Sequence, residues 1–141
     1  LLDAAEAIYV FHNPADKSAE MSGHTIGSSM SLARTATGQA ICAFLPATRQ
    51  QTILATSGLS ETEAACVAKG LTGVHSQGFA LRDVSPQSDL RALGVPAFNV
   101  NGQIAGALSI VFPTSRYSMT QIQKDLVPHL QRCATYLVSA L

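Results

Sequence analysis

RALGVPAFNVNGQIAGALSIVF, residues 91–112, reads as two strands folded back on each other at Asn101-Gly102. An Asn-Gly pair between apolar runs is a strong hairpin signal, because both central residues of a type I′ turn need φ > 0. With a period of two, one face of the second strand carries Ile104, Gly106, Leu108, Ile110 and Phe112, and the other carries Ala105, Ala107, Ser109 and Val111. On the first strand Ala92, Gly94 and Pro96 share a face, against Arg91, Leu93, Val95 and Ala97. Positions equidistant from the Asn-Gly pair face each other, so the small residues of one strand lie beside those of the other. A slip of one paired position on each side leaves the faces unchanged. One side of the hairpin is bulky; the other is a floor of small side chains with one hydroxyl. Such a floor takes a close-packed helix or leaves room for a ligand.

The totals bound what surrounds this hairpin. A chain of 141 residues predicts one domain, residues 1–141, able to bury roughly two thirds of its unfolded surface. Charged residues are 13% of the chain, about half the usual share of roughly 25%, which predicts that part of the surface is covered by a partner subunit or a further domain. A formal net charge of zero argues against phosphate-backbone recognition by this segment. Cys42, Cys66 and Cys133 stand far apart in apolar helical contexts, with no CxxC spacing, and predict buried free thiols in a reducing compartment rather than a metal or disulfide framework. No run of about 18 apolar residues suggests a membrane span, and no signal-peptide pattern is present. The chain starts at Leu1, without methionine and in mid-pattern, which predicts a fragment of something longer.

Outward from the hairpin, the N-terminal LLDAAEA suits a helix end or a linker. AIYVF, Ala7–Phe11, reads as a strand closed by a turn at Asn13–Asp16, and Met21–Ile26 as a second strand ended by Gly27-Ser28-Ser29. Thr35-Ala36-Thr37-Gly38-Gln39 opens a helix that Pro46 interrupts, with Thr35 or Thr37 as the N-cap. Its small first-turn residues leave amides open to an anion, or simply make an ordinary capped helix. A short helix follows over Pro46–Ala55. Ser60 and Glu63 then form a capping box for a helix that runs to Gln77 and stops at Gly78. Phe79–Ser85 is a strand whose only charges are Arg82 and Asp83. Arg82 is either a solvated strand end or a guanidinium aimed into a pocket, where it would hold a carboxylate through two parallel bonds. Pro96 predicts a bulge or an unpaired side in its strand. The chain closes with a long helix from Thr120, whose Ile122, Leu126, Leu130, Cys133, Leu137 and Leu141 form one apolar stripe. The fold class is therefore α+β, with an antiparallel sheet flanked by helices.

Enzymatic chemistry has little support here. His12, His24, His75 and His129 are scattered, and no GxSxG or HExxH places a base beside a nucleophile. No catalytic residue, metal ligand or cofactor is assigned.

The wording of the sequence goes further. Thr35–Leu45, TATGQAICAFL, resembles the "tA-x-GkalLAfLp" segment of the effector-binding domain of IclR-type bacterial transcriptional regulators. Gly78-Phe79-Ala80 is similar to that family's "rGya" strand entry, and residues 93–113 to its "aiaaPvfd…g…aalsvsgp" hairpin. The resemblance spans nearly the whole chain from Ala7 and lacks only the family's N-terminal winged helix-turn-helix and the start of the effector domain. It implies a GAF-like fold, a cytoplasmic location and homodimers or homotetramers. It also implies a small-molecule effector, an organic or aromatic acid, that alters DNA binding by the absent N-terminal domain; no membrane is involved. By position, the effector contacts would be Ala36 and Thr37 at the helix start, Arg82 on the third strand, and Ala92, Ser109 and Val111 on the hairpin. Arg82 stands where the glyoxylate- and pyruvate-binding members have an acid, Ala92 where they have cysteine, and Val111 replaces the second serine of their SxS pair. Glyoxylate is therefore not the expected ligand; the reading is a small anion with an apolar body. The competing reading is a domain that assembles subunits and binds no metabolite.

Overall fold

The computed structural model describes residues 2–3, 6–11 and 26–140. Two three-stranded antiparallel sheets are present rather than one. The first pairs β1 (Leu2–Asp3) with β2 (Glu6–Ile8) and β2 with β3 (Ser29–Ser31). Strands at Leu2–Asp3 and Glu6–Ile8 thus stand where the sequence suits a helix end or a linker. Just beyond Ile8, Tyr9 keeps ladder-like bonds, its N–H to the Ser28 carbonyl and its carbonyl from Gly27 N–H. The strand expected over Met21–Ile26, the turn at Asn13–Asp16, His12 and His24 lie outside the described residues, save Ile26, which is in a turn. The strand that pairs with β2 starts at Ser29.

Three helices follow: α1 (Ala36–Cys42), α2 (Ala47–Thr56) and α3 (Glu61–Gln77). Thr35 is the N-cap of α1, its hydroxyl accepting from Gly38 N–H at 2.9 Å. Ser60 and Glu63 close the capping box of α3 with both reciprocal bonds, 3.2 and 2.8 Å, and Gly78 ends the helix at φ 82°. The box satisfies two amides that the helix itself cannot. Ser60→Ala is expected to lower stability by about 1 kcal/mol, read from urea denaturation, and an unchanged midpoint would count against the box as a stabilising element.

The second sheet, β4 (Ala80–Asp83), β5 (Leu90–Phe98) and β6 (Ile104–Pro113), carries the hairpin. Its register pairs Ala92 with Val111, Gly94 with Ser109 and Pro96 with Ala107, as the sequence predicts. The turn differs. Gly102 N–H bonds the Asn99 carbonyl and Asn99 N–H bonds the Gln103 carbonyl, so the loop is the three residues 100–102 with Gly102 at φ 74°, not a two-residue type I′ turn. The cause is Asn99, whose side-chain oxygen accepts from the amides of Asn101 and Gln103 and offers the backbone a wider turn. The extra residue appears as a register shift between Ala97 and Phe98. Pro96 is tolerated because β4 pairs β5 only from Arg91 to Gly94, leaving Pro96 without a strand on that side.

This sheet separates two cores. Its bulky face, with Leu93, Val95, Ala97 and Phe112, packs on Ile122, Val127, Leu130 and Ala134 of the C-terminal helix. Its small face, with Ala80, Ala92 and Ala107, packs with Ala36, Ala40, Ile41 and Cys42 of α1 and with Leu71 and Val74 of α3. All seven residues of α1 are buried.

The C-terminal helix is not one even stripe. It runs as α4 (Met119–Gln121), a π-helical turn over Ile122–Leu126, and α5 (Val127–Ser139). Val127 N–H bonds the Ile122 carbonyl, five residues back. Pro128 has no N–H for the Lys124 carbonyl, and its ring would crowd that carbonyl in a tight α-turn; the wider turn accommodates it. The buried line therefore steps from Ile122 to Val127, Leu130 and Ala134. Leu126 and Cys133 are half-buried and Leu137 is 47% exposed, while Leu141 lies outside the described residues. Cys66, expected in the interior, faces outward on α3; Cys42 is buried, which pushes its thiol up to about 11. All three cysteines are free.

Candidate functional site

The small-residue face takes both a helix and an open space. Gly94 lies under the start of α1: a Cβ there would stand 2.8 Å from the Ala36 carbonyl oxygen and 3.1 Å from Thr37 Cα. The helix thus begins over the Gly94–Ser109 pair. One pair further along, Ala92 and Val111 are past the helix end, and Val111 is 43% exposed. A cleft of about 370 Å³ opens there, within the range of roughly 300–1,000 Å³ usual for small-molecule sites. Ala36, Thr37, Arg82, Ala92, Ser109 and Val111 all line it. Tyr9, Arg34, Thr35, Asp83 and Val84 also line it and were not anticipated.

Its floor is a line of hydroxyls. Thr37 Oγ1 donates to Ser109 Oγ at 2.8 Å, tying α1 to β6 across 72 residues of sequence. Tyr9, from the other sheet, is hydrogen-bonded to Thr37. Burial raises the Tyr9 phenol above its ordinary value, and the Thr37 bond acts in the opposite direction. Thr35, besides capping α1, donates to the Ser31 carbonyl at 2.9 Å, so the turn from β3 into α1 is held at both ends. The buried Gln39 adds a bond from Nε2 to the Ala33 carbonyl at 2.7 Å.

The rim is charged. Arg82 and Arg34 are both exposed, one on β4 and one in the turn before α1. Arg34 Nη2 donates to the Gly58 carbonyl at 3.1 Å. Asp83 borders the same space, yet its carboxylate is held by Arg91 Nε at 2.9 Å. Among the described residues neither Arg34 nor Arg82 has a carboxylate within ion-pair distance. Apolar surface comes from Ala36, Ala92, Val84 and Val111.

Tyr9 and Arg34 carried no local signal: each stands in an unremarkable stretch, and only the tertiary fold brings them to the cleft that Ser109 lines. Neither His75 nor His129 lines the cleft. Among the described residues no group of three or more His, Cys, Asp or Glu side chains is placed to hold a metal ion. Among the described residues no helix is long and apolar enough to cross a membrane.

Residues 1–139 match the family described as bacterial transcriptional regulator IclR C-terminal. The chain is 26% identical over 119 residues to an uncharacterized HTH-type transcriptional regulator of Escherichia coli (strain K12), RhmR, covering 79% of this chain and 45% of that protein. It therefore spans about half the length of that curated relative. Among solved structures, a putative transcriptional regulator from Rhodococcus sp. RHA1 superposes with a TM-score of 0.80 at 23% identity, over 98% of this chain and 58% of the other. The inducer-binding domain of PobR from Acinetobacter, a double mutant in complex with 3-hydroxybenzoic acid, superposes with a TM-score of 0.76 at 19% identity, over 99% and 85%. The shared fold is the GAF-like α+β arrangement.

Proposed function

This chain belongs to the IclR C-terminal family of bacterial transcriptional regulators, and from that premise we propose that its cleft binds a small organic acid, aromatic or with a short apolar body, as a regulatory effector. The observation that carries this is the cleft itself. Hydroxyls of Thr37 and Ser109 form its floor, apolar Ala92 and Val111 form one wall, and Arg34 and Arg82 stand at its mouth without carboxylate partners among the described residues. Guanidinium groups near a mostly apolar pocket favour a carboxylate through charge-assisted hydrogen bonds. The complex of PobR with a hydroxybenzoic acid supports the same ligand class. In the whole protein, occupancy would alter DNA binding by an N-terminal domain in a cytoplasmic homodimer or homotetramer.

The test is thermal stabilisation by a panel of carboxylates. Ligand at about 100 times its dissociation constant should add about 2.7 kcal/mol, and Arg82→Ala should weaken the best acid about tenfold, in line with the loss of one partly solvated charged hydrogen bond. No stabilisation by any acid, or undiminished binding to the Arg82→Ala protein, would sink the reading. The assembly-only reading has one observation in its favour: Tyr136 and Leu137 stand exposed on α5. It requires the cleft to stay empty under the same panel.

A further inference from the structure

The sequence singles out one cation, Arg82, but the cleft holds two. We propose that Arg34 is a second ligand-contacting group and that the cleft selects acids carrying two anionic groups over monoacids of the same size. This rests on the small-acid reading and narrows it.

Three observations lead there. First, Arg34 is positioned rather than loose: its N–H bonds Ser31 Oγ at 3.3 Å and one guanidinium nitrogen bonds the Gly58 carbonyl at 3.1 Å. A guanidinium has five N–H donors, so this tether orients the group and leaves donors for a ligand. Second, the two cations come from different walls. Arg34 precedes α1 on the helix side, and Arg82 sits on β4, paired with Ala92, on the sheet side. Ala36, Ala92 and Val111 line the same cleft and suit a short carbon spacer. Third, among the described residues no carboxylate forms an ion pair with either one. Asp83 is taken by Arg91. Glu63 gives an oxygen to Ser60 N–H at 2.8 Å; its carboxyl is held below the usual range first by those Ser60 bonds, with the charge of Arg34 a lesser contribution. Arg34 therefore acts on Glu63 without forming an ion pair with it. A monoacid engages one wall and leaves the other cation unmatched; a diacid bridges both walls.

Isothermal titration of this chain with two matched pairs tests the idea: pentanoate against glutarate, and benzoate against benzene-1,3-dicarboxylate, at fixed ionic strength. In at least one pair the diacid is expected to bind tenfold or more tightly than the monoacid. Arg34→Gln should abolish that preference by weakening each diacid about tenfold more than its matched monoacid, and Arg34→Lys should keep part of it. Lys69→Gln, a charge removed from α3 outside the cleft, should leave all four affinities unchanged. Thermal midpoints of the variants check that they fold. Equal affinity for diacid and monoacid in both pairs overturns the proposal, as does an Arg34→Gln protein that retains the preference. In either case monoacid binding by the parent leaves the small-acid reading standing. If no acid of any kind binds, both fall together.

Discussion

Gly94→Ala is expected to lower the stability of this domain by about 3 kcal/mol and to abolish effector binding with it. Glycine in a strand is normally a liability, and alanine would recover about 0.5–1 kcal/mol of backbone entropy. That gain is outweighed here. The new methyl carbon would lie 2.8 Å from the Ala36 carbonyl oxygen, 3.0 Å from its carbon and 3.1 Å from Thr37 Cα. All three are backbone atoms of the first turn of α1, so no side chain can rotate aside. The whole helix must lift, and it is buried on every side. Overpacking a close-packed core costs typically about 1–3 kcal/mol and sometimes more. Lifting α1 also draws Thr37 away from Ser109, so the cleft loses its floor. Urea denaturation gives the stability change, and titration with the best acid of the panel gives the second effect. A variant of parental stability would mean that α1 does not approach the sheet as closely as the Ala36–Gly94 contact requires.

Thr37→Val probes the same junction without changing its shape. Valine fills the volume of threonine but removes the hydroxyl that donates to Ser109 and is bonded to Tyr9. Losing a part-buried hydroxyl that serves two partners is expected to cost about 2 kcal/mol, because those partners forfeit a bond they exchanged for water on folding. Adding Ser109→Ala should cost less in the Thr37→Val background than alone, since the two residues share one bond; strict additivity would deny that they are coupled. The phenol of Tyr9 reports independently. Burial raises it and the Thr37 bond opposes that rise, so its titration, followed by ultraviolet absorbance, should move further up in the Thr37→Val protein. A downward move would show that the hydrogen bond favours the neutral phenol instead.

Both results bear on how much could be read without coordinates. The hairpin pairing from Leu90 to Ala97, its two faces over that span and the caps at Thr35 and Ser60 were legible because each depends on a short period or a three-residue spacing. Ile104, expected on the bulky face, packs on the α1 side instead, because the register shift between Ala97 and Phe98 breaks the alternation. The six residues drawn from the family resemblance do line one cleft. The turn was misjudged by one residue because the Asn99 side chain, not the Asn-Gly pair alone, sets its width. The closing stripe was misjudged because Pro128 opens a π turn that rotates everything after it. Tyr9 and Arg34 were missed for a different reason: nothing near them in sequence distinguishes them from other strand and turn residues.

By itself, then, the sequence determined that one face of the β5–β6 hairpin would be small and lightly polar, since alternation along two strands in register leaves no other arrangement. It left open whether that face would be covered by a helix or left open to a ligand. Tertiary structure decided for both. The absence of a Cβ at Gly94 lets α1 press onto the sheet at its first turn, and Thr35 caps it there, so the helix begins over Ser109 and reaches no further. The Ala92–Val111 pair is left bare beyond its end. Around that gap gather Tyr9, Arg34 and Arg82, from three parts of the chain that only the tertiary fold brings together.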